Sequence, residues 1–165
     1  MDEFRIERLG ANHDRSGFSC GIEALDRYFR EQVTQDLRRR VTTCNVALEA
    51  SGARIAGYYT LSAAGVLLTD LPGSRAKELP RYPSVPVARM GRLAVDQAYR
   101  GRKLGSALLW DAIARSFRSE IAIFAVIVDA KDDQAEAFYS HHGFVSFGSQ
   151  PRQLMLPLAK LVPGA

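Results

Sequence analysis

The sequence predicts a mixed α/β protein, with a sheet of six or seven strands and helices on both faces. A short apolar strand, Ala88–Val95, precedes a glycine-containing loop and a long amphipathic helical segment. A second buried strand, Ile121–Val128, precedes a shorter helix. Earlier, two strand-like segments flank a turn at 51–53, which indicates an antiparallel hairpin. A hairpin followed by alternating strands and helices is typical of a mixed sheet.

The chain begins with a predicted strand and helix. Phe4–Arg8 alternates apolar and polar residues, as a half-buried strand does. Apolar residues at helical spacing predict a helix over Gly21–Gln32, and the pattern continues through 33–40. That continuation ends in three arginines, which either complement the helix dipole or contact nucleic-acid phosphates: Arg38, Arg39 and Arg40.

The hairpin and the last elements complete the predicted sheet. Val41–Ala50 and Arg54–Ser62 are the hairpin strands. The next segment, 63–85, extends the second strand and then becomes a proline-punctuated loop, which we expect to line a substrate entrance. Near the end, Asp132 can cap a short helix that stops at Gly143. Two final strands follow, Phe144–Phe147 and Leu154–Leu158.

Composition limits the class of protein. A chain of 165 residues can form one domain with a sizeable core, and we expect residues 1–165 to be that domain. No apolar run reaches the length of a membrane span and the acidic start is unlike a secretory signal, so we expect a cytoplasmic protein. The net charge of +4 allows a polyanionic partner without requiring one. Cys20 and Cys44 can pair in principle, but they indicate neither a disulfide framework nor a metal site.

The loop between the central strand and the long helix is the best candidate for chemistry. After a polar turn, Asp96–Arg100, the segment Gly101–Gly105 opens the helix. The first N–H groups of a helix and its dipole favour an anion, and nearby cationic side chains add full charges. The alternative is that the two glycines only allow a tight turn and close packing.

This stretch resembles the acetyl-CoA motif of the GNAT superfamily of N-acyltransferases. The family motif reads Arg/Gln-x-x-Gly-x-Gly/Ala, and here Lys103 replaces the middle glycine. The resemblance implies the GNAT fold, acetyl-CoA as cosubstrate and no metal. It implies that the pantetheine arm pairs with the backbone of Leu93, Ala94 and Val95, where one amide can polarise the thioester. It also implies that the pyrophosphate is held by Arg100, Gly101, Arg102, Lys103, Leu104, Gly105 and Ser106.

A tyrosine on the last helix is the candidate general acid. The segment Phe138–Phe144 resembles the second GNAT signature, in which such a tyrosine lies near the CoA sulfur. A phenol with a pKa near ~10 is protonated at neutral pH, so Tyr139 can donate to a thiolate leaving group. Core packing is the alternative role for Tyr139. His141 and His142 can act as bases, but at a helix end they more often complement the dipole.

The acceptor amine must be neutral to attack the thioester. Deprotonating a lysine with a pKa of ~10.4 at pH 7 costs roughly 4 kcal/mol, whereas an α-amino group near ~7.7 costs roughly 1 kcal/mol. No carboxylate stands out as a dedicated base, since Asp96 follows the central strand and Glu78 lies in the proline-rich loop. The residues therefore favour an acceptor of low pKa over a lysine or a polyamine.

A further resemblance covers nearly the whole chain. Phe18–Phe29 is similar to the pattern Phe-x-Cys-Gly-x-x-x-Leu-(Asp/Asn)-x-(Trp/Tyr)-Leu of the GNAT toxins of type II toxin–antitoxin modules. It implies acetylation of the α-amino group of aminoacyl-tRNA, a block of translation, a small ribbon-helix-helix antitoxin and often a homodimer. The candidate RNA-binding residues are Arg38, Arg39, Arg40, Arg89 and Arg92.

Two other functions remain open from the sequence. A small-molecule or protein N-acetyltransferase of the GNAT superfamily would acetylate free amines with no RNA present. A catalytically silent regulator that binds CoA or an antitoxin is the third hypothesis, and Lys103 in place of the glycine is its best argument.

Overall fold

The computed structural model describes residues 3–71 and 82–161, which form a mixed sheet of seven strands. The strand order across the sheet is β1-β2-β3-β4-β5-β7-β6. This agrees with the predicted architecture. The strands are β1 (Phe4–Arg8), β2 (Thr43–Glu49), β3 (Ile55–Leu67), β4 (Ser84–Val95), β5 (Ala125–Asp129), β6 (Val145–Ser146) and β7 (Gln153–Pro157).

The helices are α1 (Glu23–Arg27), α2 (Val33–Arg38), α3 (Leu104–Phe117) and α4 (Asp133–His141). None of the helices within the described ranges is long and apolar enough to cross a membrane. The chain packs as two compact units, the first made of residues 1–62 and 90–114 and the second of residues 63–89 and 115–165.

In the first unit, helices cover both faces of the strands. Successive residues of a strand point to opposite faces. The ring of Tyr58 on β3 stacks on Phe29, with centroids 4.2 Å apart, on the face covered by the N-terminal helices. Its neighbour Tyr59 points the other way and donates to Asp111 of α3 at 2.5 Å. Gly57 lies on that second face too, and a Cβ there would approach Leu108 of α3 to 2.8 Å.

The predicted N-terminal helix contains an irregular turn. The segment Tyr28–Gln32, between α1 and α2, is a π-helix. Tyr28 and Phe29 are buried in this turn, and Val33 is buried at the start of α2. A π-turn rotates the residues that follow it relative to an α-helix, so apolar spacing alone does not reveal it.

The second unit is built around β5. Its parallel register with β4 runs from Val87↔Ala125 to Arg89↔Ile127, and β7 pairs antiparallel with β5 on its other side. As predicted, Asp132 caps α4, since its Oδ1 accepts from the Ala135 N–H at 2.8 Å. The core of this unit includes Val66, Val87, Ile127, Phe147 and Met155.

The second unit differs from the prediction at the start of one strand. The predicted strand Ile121–Val128 begins too early, because β5 starts at Ala125. Ile121 is 77% exposed and belongs to the connection from α3, so the apolar run extends beyond the paired strand. The proline-punctuated loop falls largely at 72–81, outside the described residues.

Candidate functional site

The connection from β4 to α3 has the geometry of an anion-binding loop. β4 ends at Val95, and Asp96 then caps a short 3₁₀ turn by accepting from the Ala98 N–H at 2.9 Å. The carbonyl of Lys103 accepts from the Ala107 N–H at 3.2 Å as α3 begins. The N–H groups of a first helical turn have no carbonyl partner four residues earlier in the helix. With the helix dipole, they favour a phosphate group at this point.

Two residues of this loop adopt left-handed backbone conformations. Gly101 has φ of 78° and Lys103 has φ of 61°. Lys103 therefore adopts, at the motif's middle glycine position, a conformation that glycine takes readily, at a cost of about 1–2 kcal/mol for a residue with a Cβ. The replacement places an exposed lysine directly before the helix N-terminus.

The loop arginines make contacts within the protein. Arg100 Nη2 donates to the carbonyl of Cys20 at 2.7 Å. Arg102 Nη2 lies 3.2 Å from Glu3 Oε2, and its guanidinium lies over the ring of Phe4. The side chains of Arg100 and Arg102 hold the loop against the N-terminal segment. We therefore expect these two residues to contribute to an anion site through their backbone N–H groups. Within the loop, Leu104 is buried, and Gly105 and Ser106 are half-buried.

The segment 18–21 supports this loop directly. The Ser19 N–H donates to Asp96 Oδ2 at 3.0 Å, and the Ser19 carbonyl accepts from the Gln97 N–H at 2.9 Å. Gly21, with φ of 90°, lies so close to the loop that a Cβ would be 2.6 Å from Gln97 Nε2. The Phe-x-Cys-Gly pattern is thus part of the structure that shapes the anion-binding loop.

The sequence does not reveal that Asp96 holds the β4–α3 loop in place. Its side chain is 4% exposed and also lies 3.6 Å from Arg54 Nη2. With bonds to Ser19 and Ala98 as well, this carboxylate is committed to holding the loop. The available signal was a single aspartate after a buried strand, which does not reveal a partner 77 residues away.

The predicted pantetheine strand lies on an open part of β4. Among the described residues, the register of β4 with β5 ends at Arg89, whereas β4 continues to Val95, and we call this last part the open stretch of β4. Ala94 packs in the core of the first unit, while Leu93 and Val95 are half-buried. An extended ligand can add to a strand edge through main-chain hydrogen bonds. The pantetheine assignment to Leu93, Ala94 and Val95 stays a prediction.

Tyr139 belongs to the second unit, on α4. It is 9% exposed, and its ring lies 5.2 Å from Phe138 and 5.6 Å from Phe144 between centroids. Burial raises the pKa of Tyr139 to about 12. Within the described ranges no hydrogen bond is recorded for its hydroxyl. The phenol is therefore protonated at neutral pH and able to donate.

The two histidines after Tyr139 end the helix. His142 follows α4, and its Nδ1 donates to the carbonyl of Phe138 at 2.8 Å, while His141 is exposed in the last turn. The His142 N–H thereby satisfies a carbonyl at the C-terminus of α4, where a hydrogen-bond donor complements the helix dipole. The geometry favours the helix-end role for these residues.

The five candidate RNA-binding arginines fall into three settings. Arg38, Arg39 and Arg40 are exposed at the end of α2, and Arg40 has φ of 60° in a turn where the Val41 N–H donates to the Asp36 carbonyl. Arg89 forms an ion pair of 2.6 Å with Asp129. The guanidinium carbon of Arg92 lies 3.3 Å from the centroid of the Tyr28 ring.

Among the residues that the structure describes, no group of three or more His, Cys, Asp or Glu side chains can hold a metal ion. Both cysteines are buried and free. Burial raises the pKa of the Cys44 thiol to about 12 and also raises that of Cys20. A raised pKa disfavours the thiolate, so neither side chain has the environment of a nucleophile.

Comparison with known families assigns the chain to an enzyme class. The Acetyltransferase (GNAT) family matches residues 13–144, which include the open stretch of β4, the loop and α4. The chain belongs to the GNAT acetyltransferase family. Its fold and its assignment as an acetyltransferase confirm the sequence prediction.

Individual GNAT proteins resemble the chain over nearly its full length. A tRNA-acetylating toxin of Mycobacterium tuberculosis is 36% identical over 151 residues, which cover 90% of this chain and 89% of that protein. The structure of AtaT complexed with acetyl-methionyl-tRNAfMet has 26% identity, a TM-score of 0.89 and 96% coverage of both chains. The structure of AtaTR bound with AcCoA has 26% identity, a TM-score of 0.82 and coverage of 98% and 97%.

Proposed function

We propose that this GNAT acetyltransferase transfers the acetyl group of acetyl-CoA to the α-amino group of aminoacyl-tRNA and so blocks translation, as the toxin of a type II toxin–antitoxin module. The observation that carries the proposal is the similarity to a tRNA-acetylating toxin along nine tenths of the chain, at 36% identity. The Phe-x-Cys-Gly segment supports it, since this toxin pattern is joined by hydrogen bonds to the β4–α3 loop.

Acetyl-CoA supplies an activated acetyl thioester when it is bound. Residues Arg100–Ser106 hold its pyrophosphate through backbone N–H groups, the α3 dipole and the ammonium of Lys103. The open edge of β4 at Leu93–Val95 orients the pantetheine arm. Tyr139 holds a proton on its hydroxyl through neutral pH and would donate it to the sulfur as the C–S bond breaks. The amine would lose a proton as the C–N bond forms, and that proton would restore the phenol.

The acceptor is an amine of low pKa. Asp96 is occupied by Ser19, Ala98 and Arg54, and Asp129 is paired with Arg89. These carboxylates therefore act as loop and strand anchors and are not free to serve as a strong base. An α-amino group loses its proton at a cost of roughly 1 kcal/mol at pH 7, against roughly 4 kcal/mol for a lysine. An aminoacyl ester therefore needs less help from a base than a lysine does.

The RNA is bound through phosphate contacts. The exposed arginines at the end of α2, residues 38–40, supply charge for the phosphodiester backbone, in line with the net charge of +4. Arg89 and Arg92 complete the candidate set. The pairing of Arg89 with Asp129 makes it the weakest of these candidates, because an anion has to compete with a carboxylate at 2.6 Å.

Several features of the biological context belong to the same proposal. The whole chain, residues 1–165, acts as one GNAT domain in the cytoplasm. A small ribbon-helix-helix antitoxin neutralises it, and the active form is a homodimer. The antitoxin and the homodimer follow from the resemblance to the toxin family, whereas the single domain and the location follow from length and composition. Co-purification tests the antitoxin, and light scattering tests the homodimer.

The decisive experiment uses purified protein, labelled acetyl-CoA and a pool of charged tRNA. We expect label on the RNA that mild alkali releases with the amino acid, and none with uncharged tRNA or with Tyr139→Phe. If the protein instead acetylates small amines or proteins and leaves charged tRNA unlabelled, the toxin function is wrong. The assignment to the GNAT acetyltransferases would be unaffected by that result.

A further inference from the structure

Arg92 is held in an unusual way on the open stretch of β4. Its guanidinium carbon lies 3.3 Å from the centroid of the Tyr28 ring, which is a close cation–π contact. The hydroxyl of Tyr28 donates to Asp36 Oδ2 at 2.7 Å, which fixes the ring. Tyr28 is also the first residue of the π-helical turn, a feature that often marks functional sites.

The other arginines on or near β4 and its loop are used differently. Each of them contacts an oxygen acceptor: Arg54 with Asp96, Arg89 with Asp129, Arg100 with the Cys20 carbonyl and Arg102 with Glu3. For Arg92, no hydrogen bond or ion pair is recorded among the described residues. Stacking occupies one face of a guanidinium and leaves its five N–H donors, which lie in the plane, available at the edges.

The donors of Arg92 are accessible from outside. Its side chain is half-buried. In the described part of the chain, Asn45 Oδ1 is the one fully buried side-chain polar atom without a hydrogen-bond partner. The guanidinium nitrogens of Arg92 also lack a partner among the described residues but are not fully buried, so they reach solvent. Because these donors face solvent, an anion can replace the water on them with charge-assisted hydrogen bonds.

The position of Arg92 relates it to the acetyl-transfer reaction. It directly precedes Leu93–Val95, the part of β4 to which the proposed function assigns the thioester arm. Alternate residues of a strand share a face, so Arg92 lies on the same face as Ala94, which packs in the cluster that contains Tyr28. With the thioester arm assigned to Leu93–Val95 by the proposed function, an anion at Arg92 would lie beside that arm.

We propose that Arg92 binds a phosphate of the acceptor, the phosphodiester close to the amine that is acetylated, with Tyr28 and Asp36 as its positioning residues. The inference rests on the proposed function and specifies how it selects its substrate. A planar guanidinium matches two phosphate oxygens, so it favours a nucleotide-linked amino acid over a free amino ester. Discrimination then depends on the phosphate beside the amine as well as on the amine itself.

The test compares two acceptors of the same amino acid, charged tRNA and the methyl ester, which has no phosphate. We expect Arg92→Gln to lower kcat/KM for charged tRNA about 10- to 100-fold and to change it less than about 2-fold for the ester. Turnover of the ester shows that the variant is folded. Arg92→Lys keeps the charge without the planar fork, so we expect an intermediate loss with tRNA.

Two further measurements separate phosphate binding from a purely structural role. Removing one phosphate contact should reduce the slope of log KM against log salt by roughly 0.7–1. Tyr28→Phe keeps the ring but loses the Asp36 bond, so we expect a rise of about 3- to 10-fold in KM for tRNA with kcat nearly unchanged. The matched control is Arg27→Gln, an exposed arginine of α1 that pairs with Glu23, which should leave both acceptors unaffected.

The outcomes are distinguishable. An equal loss with both acceptors in folded Arg92→Gln, or an unchanged salt slope, would overturn the role of Arg92 and leave the proposed function in place. A wild-type protein that acetylates the ester but never charged tRNA would overturn the proposed function and this inference together.

Discussion

Asp96 Oδ2 accepts the backbone N–H of Ser19 at 3.0 Å, across 77 residues of sequence. This bond joins the N-terminal Phe-x-Cys-Gly segment to the residue that caps the turn after β4. Asp96 Oδ1 also accepts from the Ala98 N–H. One buried carboxylate therefore holds both the N-terminal segment and the turn that leads to α3. The β4–α3 loop is therefore shaped by two distant parts of the chain.

This relationship predicts the effect of adding a methyl group at Gly21. A Cβ there would lie 2.6 Å from Gln97 Nε2, and φ of 90° is unfavourable for alanine. We expect Gly21→Ala to lower the free energy of unfolding by about 1–3 kcal/mol and to weaken acetyl-CoA binding. Denaturant unfolding and calorimetric titration measure the two effects.

The matched control is Gly17→Ala, four residues earlier, where a Cβ would have no atom within 4 Å. It should leave both quantities nearly unchanged. Equal behaviour of the two variants would show that segment 18–21 does not support the loop.

The sequence reveals the local parts of this site better than its long-range parts. Glycine spacing and the apolar pattern of α3 are properties of neighbouring residues, so they predicted the loop and the helix start. The link from Ser19 to Asp96 and the stacking of Arg92 on Tyr28 depend on packing between distant segments. No spacing rule encodes such contacts.

Charge illustrates the same limit. The sequence placed three cations in the loop, but it could not show that Arg100 and Arg102 are engaged by Cys20 and Glu3 while Lys103 remains exposed. Nor could it show that a lysine adopts a left-handed conformation at the glycine position.

The backbone of Lys103 predicts different effects of two substitutions on stability. With φ of 61°, Lys103→Gly relieves strain of about 1–2 kcal/mol but adds freedom to the unfolded chain, so we expect a net gain of about 0.5–1 kcal/mol in stability. Lys103→Ala keeps the strain and should be close to wild type. Urea unfolding compares them.

Both Lys103 variants remove the ammonium. If that charge contacts the pyrophosphate, they lose acetyl-CoA affinity to the same extent, about 5- to 20-fold at low salt. A loss confined to Lys103→Gly would assign the effect to backbone freedom, and no loss in either variant would contradict a charge contact.

Tyr139→Phe tests the general acid. The variant keeps the buried ring, so we expect unchanged stability and acetyl-CoA affinity, with kcat lower by about 10²- to 10⁴-fold. Steady-state kinetics with charged tRNA and a direct binding measurement separate the two quantities. Tyr82→Phe is the control, since Tyr82 is 63% exposed. A wild-type turnover in Tyr139→Phe would remove the proposed role.

Alkaline pH should destabilise the protein through groups that burial keeps protonated. The pKa of Cys44 is raised from 9.0 to about 12, and that of Tyr139 from 10.0 to about 12. Above the unfolded-state pKa, the unfolded chain has lost a proton that the folded protein still holds, so stability falls as pH rises. The contribution of Cys44 is complete below about pH 9 and declines by about 4 kcal/mol by pH 12.

The pH window identifies the group. Between pH 9 and 10 the thiols titrate in the unfolded chain while tyrosines are still mostly protonated. In that window we expect Cys44→Ala to start from a lower stability, because it leaves a small cavity, but to fall less steeply with pH than wild type. Urea unfolding at half-unit steps of pH measures the slopes. Parallel slopes for the two proteins would show that the Cys44 thiol titrates normally and is not shielded by the core of the first unit.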